Sequence, residues 1–287
     1  MIKKPAWQIT PATVADLKKI GFTEAPSEVL NRRIVMNAEG KDKEGKTDFA
    51  LSGKPPIIYF EIDTGGESVY EKFVATGKKV YVYRTRIIKT SEGEGEWQNQ
   101  WNDLRNAALT AWGLPEGTVV FDTWGEVYEL VRLITFGRLE KIPSYQYGDV
   151  NRIMRELDKA AFASRMSTVF IHKMKPIYAN DKRTNEYELA GWSDITYEVQ
   201  VNARPFCEAD EDGNTVFKVL IRNCRPNARM SGKVYELGRA GDPPDKRRLT
   251  LEGLIEMMYA KPRKLVLDDE GDDKPKEKKS RKLVLED

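Results

Sequence analysis

Cysteine and histidine are scarce in this 287-residue chain, which has two cysteines and one histidine. Cys207 and Cys224 form no CxxC pair and have no histidine beside them. This spacing argues against both a disulfide framework and a zinc site. We therefore expect two reduced thiols buried in the core.

Long apolar runs and a strong charge imbalance are also absent. No apolar run approaches the ~18 residues that a membrane span needs, so no membrane partner is expected. The start of the chain, "MIKKPAWQIT", lacks the apolar stretch of a secretory signal, which predicts a cytoplasmic protein. The net charge is only +2, so a nucleic-acid partner would need a local basic patch.

The composition that is present divides the chain into three parts. Hydrophobic residues make up 40% and charged residues 32%, which is typical of a globular core, here placed at 31–260. A lead-in of residues 1–30 precedes it. The tail, 261–287, is rich in Asp, Glu, Lys and Pro, which predicts disorder. It repeats one heptapeptide, "RKLVLDD" and "RKLVLED". The repeat is either a peptide that adds a strand to a partner protein's sheet or a low-complexity tail without a partner.

Apolar strands and amphipathic helices alternate through the core. Predicted strands are "RRIVMNA", "PPIIYFEIDTGG", "KKVYVYRTRII", "GTVVFD" and "STVFIHK". Helices are predicted between several of them, which indicates a mostly parallel α/β sheet with its chemistry at the carboxyl ends of the strands. Residues 173–193 lack periodicity and predict a long loop. Two antiparallel strands, "DITYEVQVNARPF" and "NTVFKVLIRNC", are then joined by the turn "EADEDGN".

The stretch "GKDKEGKT" matches the spacing GxxxxGK[ST] of a phosphate-binding loop, or P-loop. It follows a predicted strand and precedes a predicted helix, which is the context that such a loop requires. In this interpretation, backbone N–H groups surround the phosphates and a lysine contacts them. The alternative is a Lys/Glu-rich turn, since the four residues between the glycines are unusually charged. The predicted nucleotide-binding residues are Gly40, Lys41, Asp42, Lys43, Glu44, Gly45, Lys46, Thr47 and Asp48.

Acidic residues at the ends of two other predicted strands complete this site. Asp122 ends "TVVFD", where its carboxylate could hold Mg²⁺ together with Thr47, or could instead cap the next helix. Asp63 and Glu67 are candidates for orienting a water molecule, or are solvated turn residues. His172, which ends "TVFIH", could sense the nucleotide state, or could be structural.

These blocks, in this order, resemble the RecA-type ATPase core over roughly residues 30–225. They are most similar to compact phage-encoded RecA-like nucleotide-binding proteins of the single-strand annealing and recombination type. The resemblance rests on "GKDKEGKT", "YFEIDTGG", "TVVFDTWGEVYEL", "YQYGDVNRIMRELDKAA" and "VFIHK". It implies a RecA-like P-loop NTPase fold with ATP and Mg²⁺ as cofactors. Lys46, Asp122 and one of Asp63 and Glu67 would be catalytic.

The resemblance further implies that two loops contact single-stranded DNA. Cations and aromatic rings in these loops could neutralise phosphates and stack on bases. The alternative is a pair of mobile surface loops of ordinary charge. The predicted DNA-binding residues are Arg138, Lys141, Tyr145, Lys173, Lys175, Lys182 and Arg183.

A homo-oligomer is also implied, with a basic residue of one subunit placed against the nucleotide of the next. Arg222 and Arg225 stand in the matching region, and we favour Arg225 because a guanidinium binds phosphate oxygens in pairs.

Two functions therefore compete. The first is an ATP-hydrolysing protein that acts on single-stranded DNA in phage recombination, annealing or replication. The second is a nucleotide-binding scaffold with little hydrolysis, which recruits replication or recombination partners through its tail. An unrelated P-loop kinase or transporter ATPase is less favoured, because the chain shows neither a lid-like arginine cluster nor an ABC-type signature.

Overall fold

A nine-stranded sheet forms the centre of the protein. The structure is a computed structural model, and it describes residues 32–260 apart from 64, 65, 94, 140, 141, 180 and 181. The strands are β1 (Val35–Gly40), β2 (Ile57–Glu61), β3 (Val80–Arg84), β4 (Thr118–Asp122), β5 (Ser167–Ala179), β6 (Lys182–Leu189), β7 (Val201–Ala209), β8 (Thr215–Cys224) and β9 (Val234–Arg239).

Seven α-helices connect or follow these strands within the described part of the chain. They are α1 (Lys46–Leu51), α2 (Glu67–Ala75), α3 (Trp97–Trp112), α4 (Trp124–Phe136), α5 (Gly148–Ala163), α6 (Ile195–Glu198) and α7 (Leu251–Tyr259). No helix among the described residues combines the length and the apolar character that crossing a bilayer requires.

The strand order is β3-β2-β4-β5-β1-β7-β8-β9, with β6 attached to β5. Strands β3 to β7 in this order pair in parallel, and β8 and β9 continue the sheet antiparallel. β4 and the first half of β5 are buried on both faces and are mostly apolar, whereas β1 is equally buried but carries the polar residues Asn37 and Glu39. The predicted α/β class, with a mostly parallel central sheet, flanking helices and antiparallel C-terminal strands, is confirmed.

Two apolar cores cover the two faces of the sheet. On one face, α3, α4 and α5 pack on aromatic residues of the strands, and the rings of Phe60 and Phe121 stack 4.4 Å apart. On the other face, α1 and α7 pack on β1 and β5 through residues such as Phe49 and Leu254. Each large side chain buried in this way contributes about 1.5–3 kcal/mol. The cores thus fix the strands whose carboxyl ends carry the candidate site.

The predicted long loop at 173–193 is wrong. Strand β5 continues to Ala179, and β6 returns beside it as an antiparallel hairpin with Met174 opposite Leu189. We call this the β5–β6 hairpin. Its side chains are mostly exposed or only partly buried, so neither face needs a run of apolar residues. The alternation that marks a half-buried strand is therefore missing from its sequence.

The predicted strand at 194–206 is correct only in its second half. Residues 195–198 form α6, and β7 begins at Val201. The turn between β7 and β8 is confirmed, since Asp210 and Asn214 are joined by a backbone hydrogen bond of 2.9 Å. Cys224 is buried as expected, but Cys207 is exposed because that end of β7 extends beyond the core.

Several predictions fall outside the described residues. These are the lead-in of residues 1–30, the tail 261–287 with its repeated heptapeptide, and Lys141.

Candidate functional site

The loop between β1 and α1 has the backbone conformation that its glycines permit. Gly45 has φ of 80°, in the left-handed region that favours glycine. A Cβ atom at Gly45 would lie 3.0 Å from the Phe217 ring. At Gly40 an added Cβ would lie 2.9 Å from the Pro205 carbonyl oxygen. Both glycines are therefore required by the fold, and the strand–loop–helix context matches the prediction. The sheet and this loop together have the strand–loop–helix arrangement that a phosphate-binding loop requires.

The side chains of Thr47 and Asp122 are in contact below this loop. The Thr47 hydroxyl donates to Asp122 Oδ2 at 2.6 Å, and the Tyr59 hydroxyl donates to the same oxygen at 3.1 Å. The contact joins α1 to the end of β4, although β5 separates β4 from β1 in the sheet. A hydroxyl and a carboxylate so close together fit Mg²⁺, which prefers oxygen ligands and completes its shell with water and phosphate oxygens.

Burial shifts the pKa values of Asp122 and Lys46. It raises the pKa of Asp122, although the hydrogen bonds from Thr47 and Tyr59 and the charge of Lys46 act in the opposite direction. Burial also lowers the pKa of Lys46, opposed by the charges of Asp122, Asp42 and Glu44. A cation and an acid that have both lost water interact more strongly with a bound polyanion or metal than they would in solvent.

Contacts within the loop engage groups that a phosphate would use. The Lys41 backbone N–H donates to the Glu44 carboxylate at 2.5 Å, and the Lys46 ammonium donates to the Lys41 carbonyl. The Lys41 side chain turns away from the loop, and its Nζ lies 4.1 Å from the centre of the Tyr187 ring. Asp48 is also engaged, because it forms a 2.5 Å ion pair with Arg247. Burial raises the pKa of Asp48, and Arg247 opposes this shift.

A cleft of ≈ 880 Å³ opens beside the loop, which is large enough for a nucleotide. Residues 42–48 form one wall, and Tyr59, Asp63 and Asp122 lie at the bottom. Helix α2 and the segment 239–244 form the remaining sides. The structure therefore brings most of the predicted nucleotide-binding loop and two of the predicted acids into one space.

The two candidate water-positioning acids occupy different positions. Asp63 lies in the cleft and forms an ion pair with Lys173. Partial burial acts to lower the pKa of Lys173, but the hydrogen bond and charge of Asp63 raise it overall. Glu67 begins α2. The neighbouring Glu61 is buried and structural, since it accepts from Gly66 N at 3.0 Å and from Arg84 at 2.9 Å.

His172 lies behind the cleft. It is fully buried and its Nδ1 is 2.7 Å from the Asn37 side-chain oxygen, while its Nε2 has no hydrogen-bond partner among the residues that the structure describes. Burial lowers its pKa to about 3. Successive residues of a strand point to opposite faces of the sheet. The residue that lines the cleft is therefore Lys173, the one after His172, whereas His172 had been predicted to act there.

Neither Arg222 nor Arg225 lines the cleft of its own chain. Arg222 binds the buried Glu39 at 2.5 Å, and Arg204 binds the same oxygen at 2.7 Å. Arg225 follows β8 at the edge of the sheet opposite the loop, and its guanidinium donates to the Tyr197 carbonyl.

The predicted DNA-binding residues lie in two places. Arg138 is exposed after α4, and Tyr145 is 81% exposed in a short 3₁₀ turn. The others belong to the β5–β6 hairpin: Lys173 in the cleft, Lys175 paired with Glu188 at 3.1 Å, Lys182 exposed, and Arg183 donating to the Tyr187 hydroxyl at 2.7 Å.

Sequence analysis missed several residues that border the cleft. Tyr59 is one, and its contact with Asp122 could have been suspected because both occupy neighbouring strands. The segment 239–244 and Arg247 are others, and they are rich in Gly, Pro and Arg. A Gly/Pro-rich, basic segment after the last strand was the available signal.

Comparison with known proteins finds similarity only to the folds of solved structures. No protein-family model and no curated protein matches the chain. The solved "ATPase Domain of G40P" matches with 11% identity and a TM-score of 0.41, over 77% of this chain and 86% of that one. A prototypical ATPase from the type III secretion system of pathogenic bacteria matches with 12% identity and a TM-score of 0.41, over 62% of this chain and 51% of that one. Neither likeness bears on what the cleft of this chain binds.

Proposed function

We propose that this protein binds and hydrolyses ATP and acts on single-stranded DNA in phage recombination, annealing or replication. One observation supports this most strongly. The Thr47 hydroxyl and the Asp122 carboxylate lie 2.6 Å apart beneath a glycine-bounded loop, at the carboxyl edge of the parallel strands. A lysine with reduced access to water, Lys46, stands beside them. These are the groups that phosphoryl transfer needs.

Each residue then has a defined role. Backbone N–H groups of the loop bind the phosphates, and Lys46 balances their charge. Thr47 and Asp122 hold Mg²⁺, which supplies Lewis-acid stabilisation of phosphate oxygens when bound. Asp63 or Glu67 orients the attacking water. Asp63 can do so only after Lys173 releases its carboxylate, since the two form an ion pair.

Contact with DNA is assigned to the β5–β6 hairpin and to the surface around Arg138 and Tyr145. The hairpin extends from β5, the strand between the two halves of the candidate site, and carries exposed cations and aromatic rings. Such surfaces hold single strands without reading their sequence. A homo-oligomer with Arg225 directed at a neighbour's nucleotide completes this proposal.

A second candidate is a nucleotide-binding scaffold with little hydrolysis, which recruits replication or recombination partners through its tail. Two contacts favour it. Asp63 is held by Lys173, and Glu44 occupies the Lys41 amide that a phosphate would use. In this alternative the protein binds ATP tightly but turns it over slowly.

Lys46→Ala tests the central proposal. Wild-type protein should bind ATP in a Mg²⁺-dependent manner and hydrolyse it faster when single-stranded DNA is added. The variant should lose about 100-fold or more in turnover, the usual cost of removing a key electrostatic group. ATP binding is measured by calorimetry, and hydrolysis by phosphate release.

Lys54→Ala is the matched control, because Lys54 is an exposed lysine whose ion pair with Glu116 lies away from the loop. Tight Mg²⁺-dependent binding without turnover in the wild type selects the scaffold. The absence of any Mg²⁺-dependent affinity for nucleoside triphosphates contradicts both candidates.

A further inference from the structure

A second cavity lies at the amino edge of the parallel strands, whereas the candidate nucleotide site lies at their carboxyl edge. Its volume is ≈ 490 Å³, and within the described part of the chain it shares no lining residue with the nucleotide cleft. Its walls come from the segments that precede β1, β2 and β4 and from the residues around the start of β5. We call it the basic pocket. Its charged lining residues are Arg32, Arg33, Lys54, Glu116 and Arg165.

The basic pocket has an excess of positive charge that the nucleotide cleft lacks. Among the described residues, four cations and one acid line the pocket, whereas six cations and six acids line the cleft. The acid of the pocket, Glu116, pairs with Lys54 at 2.6 Å, and both side chains are at least half exposed. An acidic peptide should therefore favour the pocket over the cleft.

Arg33 is fixed in position by its contacts with the end of α5. Its Nη2 donates to the Phe162 carbonyl, and the centre of its guanidinium lies 5.9 Å from the centre of the Phe162 ring. Its Nη1 is buried and has no hydrogen-bond partner in the part of the chain that the structure describes. A carboxylate that reached this nitrogen would satisfy a donor whose burial otherwise costs free energy.

The tail leaves the described part of the chain beside this pocket. Helix α7 ends at Tyr259, whose hydroxyl donates to the Arg33 carbonyl at 2.8 Å. The sequence then continues to "DDEGDD", residues 268–273, which carries five acids in six positions. The intervening residues 261–267 can span up to ~25 Å when extended. The most acidic stretch of the tail is thus within reach of the basic pocket.

We propose that residues 268–273 bind in the basic pocket of their own chain, where their carboxylates pair with Arg32, Arg33 and Lys54. This inference is independent of the proposed function, because it involves neither the nucleotide cleft nor the surfaces assigned to DNA. Single ion pairs at exposed positions are weak. The covalent tether compensates for this, since it holds the acids near the pocket at an effective concentration on the order of millimolar. The attachment should weaken as salt is added.

Docking of this segment makes the two copies of the heptapeptide unequal. Asp268 and Asp269, the last residues of the first copy, belong to the docked segment. The second copy, residues 281–287, lies beyond that segment and carries two acids. A partner protein that binds the heptapeptide should therefore occupy the second copy first.

Zero-length crosslinking of the intact chain tests the contact directly. A carbodiimide joins a lysine amine to a carboxylate that touches it, and Lys54 is a lysine of the pocket. Mass spectrometry should find Lys54 joined to residues 268–273 at low salt, and this product should fall about fivefold or more at about 0.5 M salt. A Lys54–Glu116 product, expected from their ion pair, shows that the lysine reacts. In a mixture of isotopically light and heavy protein, the Lys54 products should join residues of the same chain.

Competition with a peptide measures the strength of docking. A tail variant that keeps the length of the chain but replaces each acid of the segment by its amide should leave the pocket open. This variant should bind a fluorescent peptide of residues 261–275 about tenfold or more tightly than wild type does, as measured by anisotropy. A peptide of residues 279–287, with two acids, is the matched control and should bind weakly to both proteins. The substitutions are Asp268→Asn, Asp269→Asn, Glu270→Gln, Asp272→Asn and Asp273→Asn.

Substitutions in the pocket identify where the peptide binds. Arg32→Gln and Lys54→Gln, each added to the tail variant, should weaken peptide binding about threefold to tenfold. Both side chains are exposed, so the fold should tolerate these changes, and melting temperatures check this. Arg152→Gln removes an exposed arginine of α5 outside the pocket and should change the affinity less than about twofold.

Three results would overturn this inference: Lys54 crosslinked to Glu116 but not to the tail, equal peptide affinity of wild type and the tail variant, or peptide binding that survives Arg32→Gln and Lys54→Gln together. Crosslinks between light and heavy chains would place the tail on a neighbouring copy, which also contradicts docking within one chain. None of these results concerns ATP or DNA binding, so a failure here is distinct from a failure of the proposed function.

Discussion

Asp158 is an acid buried in the core. It is 2% exposed, and neither of its carboxylate oxygens has a partner among the described residues. Burial raises its pKa from the ordinary 3.8 to about 8, the charge of Glu198 adds to this, and Arg155 opposes it. The folded protein therefore keeps this proton over a pH range in which the unfolded chain has lost it.

Stability should consequently fall as the pH rises from about 4 to about 8, because more protons are bound to the folded state than to the unfolded state in that window. Asp158→Asn removes the titration. The variant should resemble wild type near pH 4 and be more stable at pH 8, by up to about 5 kcal/mol. Urea denaturation at several pH values measures this, and identical pH profiles for the two proteins would contradict it.

Single residues could be predicted from the sequence where their signal is local. Gly40, Gly45 and Thr47 lie within eight positions, and the loop geometry that requires them is encoded there. The partners of these residues could not be predicted in the same way. Arg247 pairs with Asp48 across 199 positions, and only the packing of α7 and the preceding segment on α1 brings them together.

The β5–β6 hairpin is an element that the rest of the sheet does not depend on. Within the described part of the chain, strand β6 pairs only with β5, outside the main strand order. Replacing residues 176–187 with a short Gly/Ser turn should therefore leave the melting temperature within a few degrees of wild type. ATP binding should remain within about threefold, since the Thr47–Asp122 contact is untouched, whereas stimulation of hydrolysis by single-stranded DNA should disappear.

Calorimetry, thermal melting and phosphate release measure these three properties on the same preparation. A replacement variant that is still stimulated by DNA would move the strand-binding role to another element, such as the surface around Arg138. Circular dichroism provides the folding control.

Elements could be predicted where burial imposes a pattern. The apolar strands β1, β4 and β5 were identified because the cores on both faces demand apolar side chains. The hairpin was predicted as a loop because most of its side chains are at least partly exposed, so its sequence needs no pattern of apolar residues. The residues of helix α6 were predicted as part of a strand, because a helix of four residues is too short to show a helical period in its sequence.

At the scale of the whole molecule, Arg225 lies at the opposite edge of the sheet from the P-loop of its own chain. It can contact a nucleotide only in another copy of the protein. Arg225→Ala should therefore lose hydrolysis but retain ATP binding, while Lys46→Ala loses both.

Mixing these two inactive variants should restore part of the wild-type activity. In a mixed oligomer, an intact Lys46 site of one subunit can meet an intact Arg225 of its neighbour. Hydrolysis assays over a range of mixing ratios, combined with sedimentation, measure this. Mixtures that stay as inactive as their components would remove Arg225 from the site.

The position of β5 between β1 and β4 has a mechanical consequence. One neighbouring strand leads into the glycine-bounded loop, and the other ends at Asp122. The two halves of the candidate site are therefore hydrogen-bonded to the strand that extends into the hairpin. A force applied to the hairpin tip, for example tension along a bound strand, is transmitted through β5 to both halves at once. If the proposed function holds, the separation of Thr47 and Asp122 should therefore change when the hairpin is under tension.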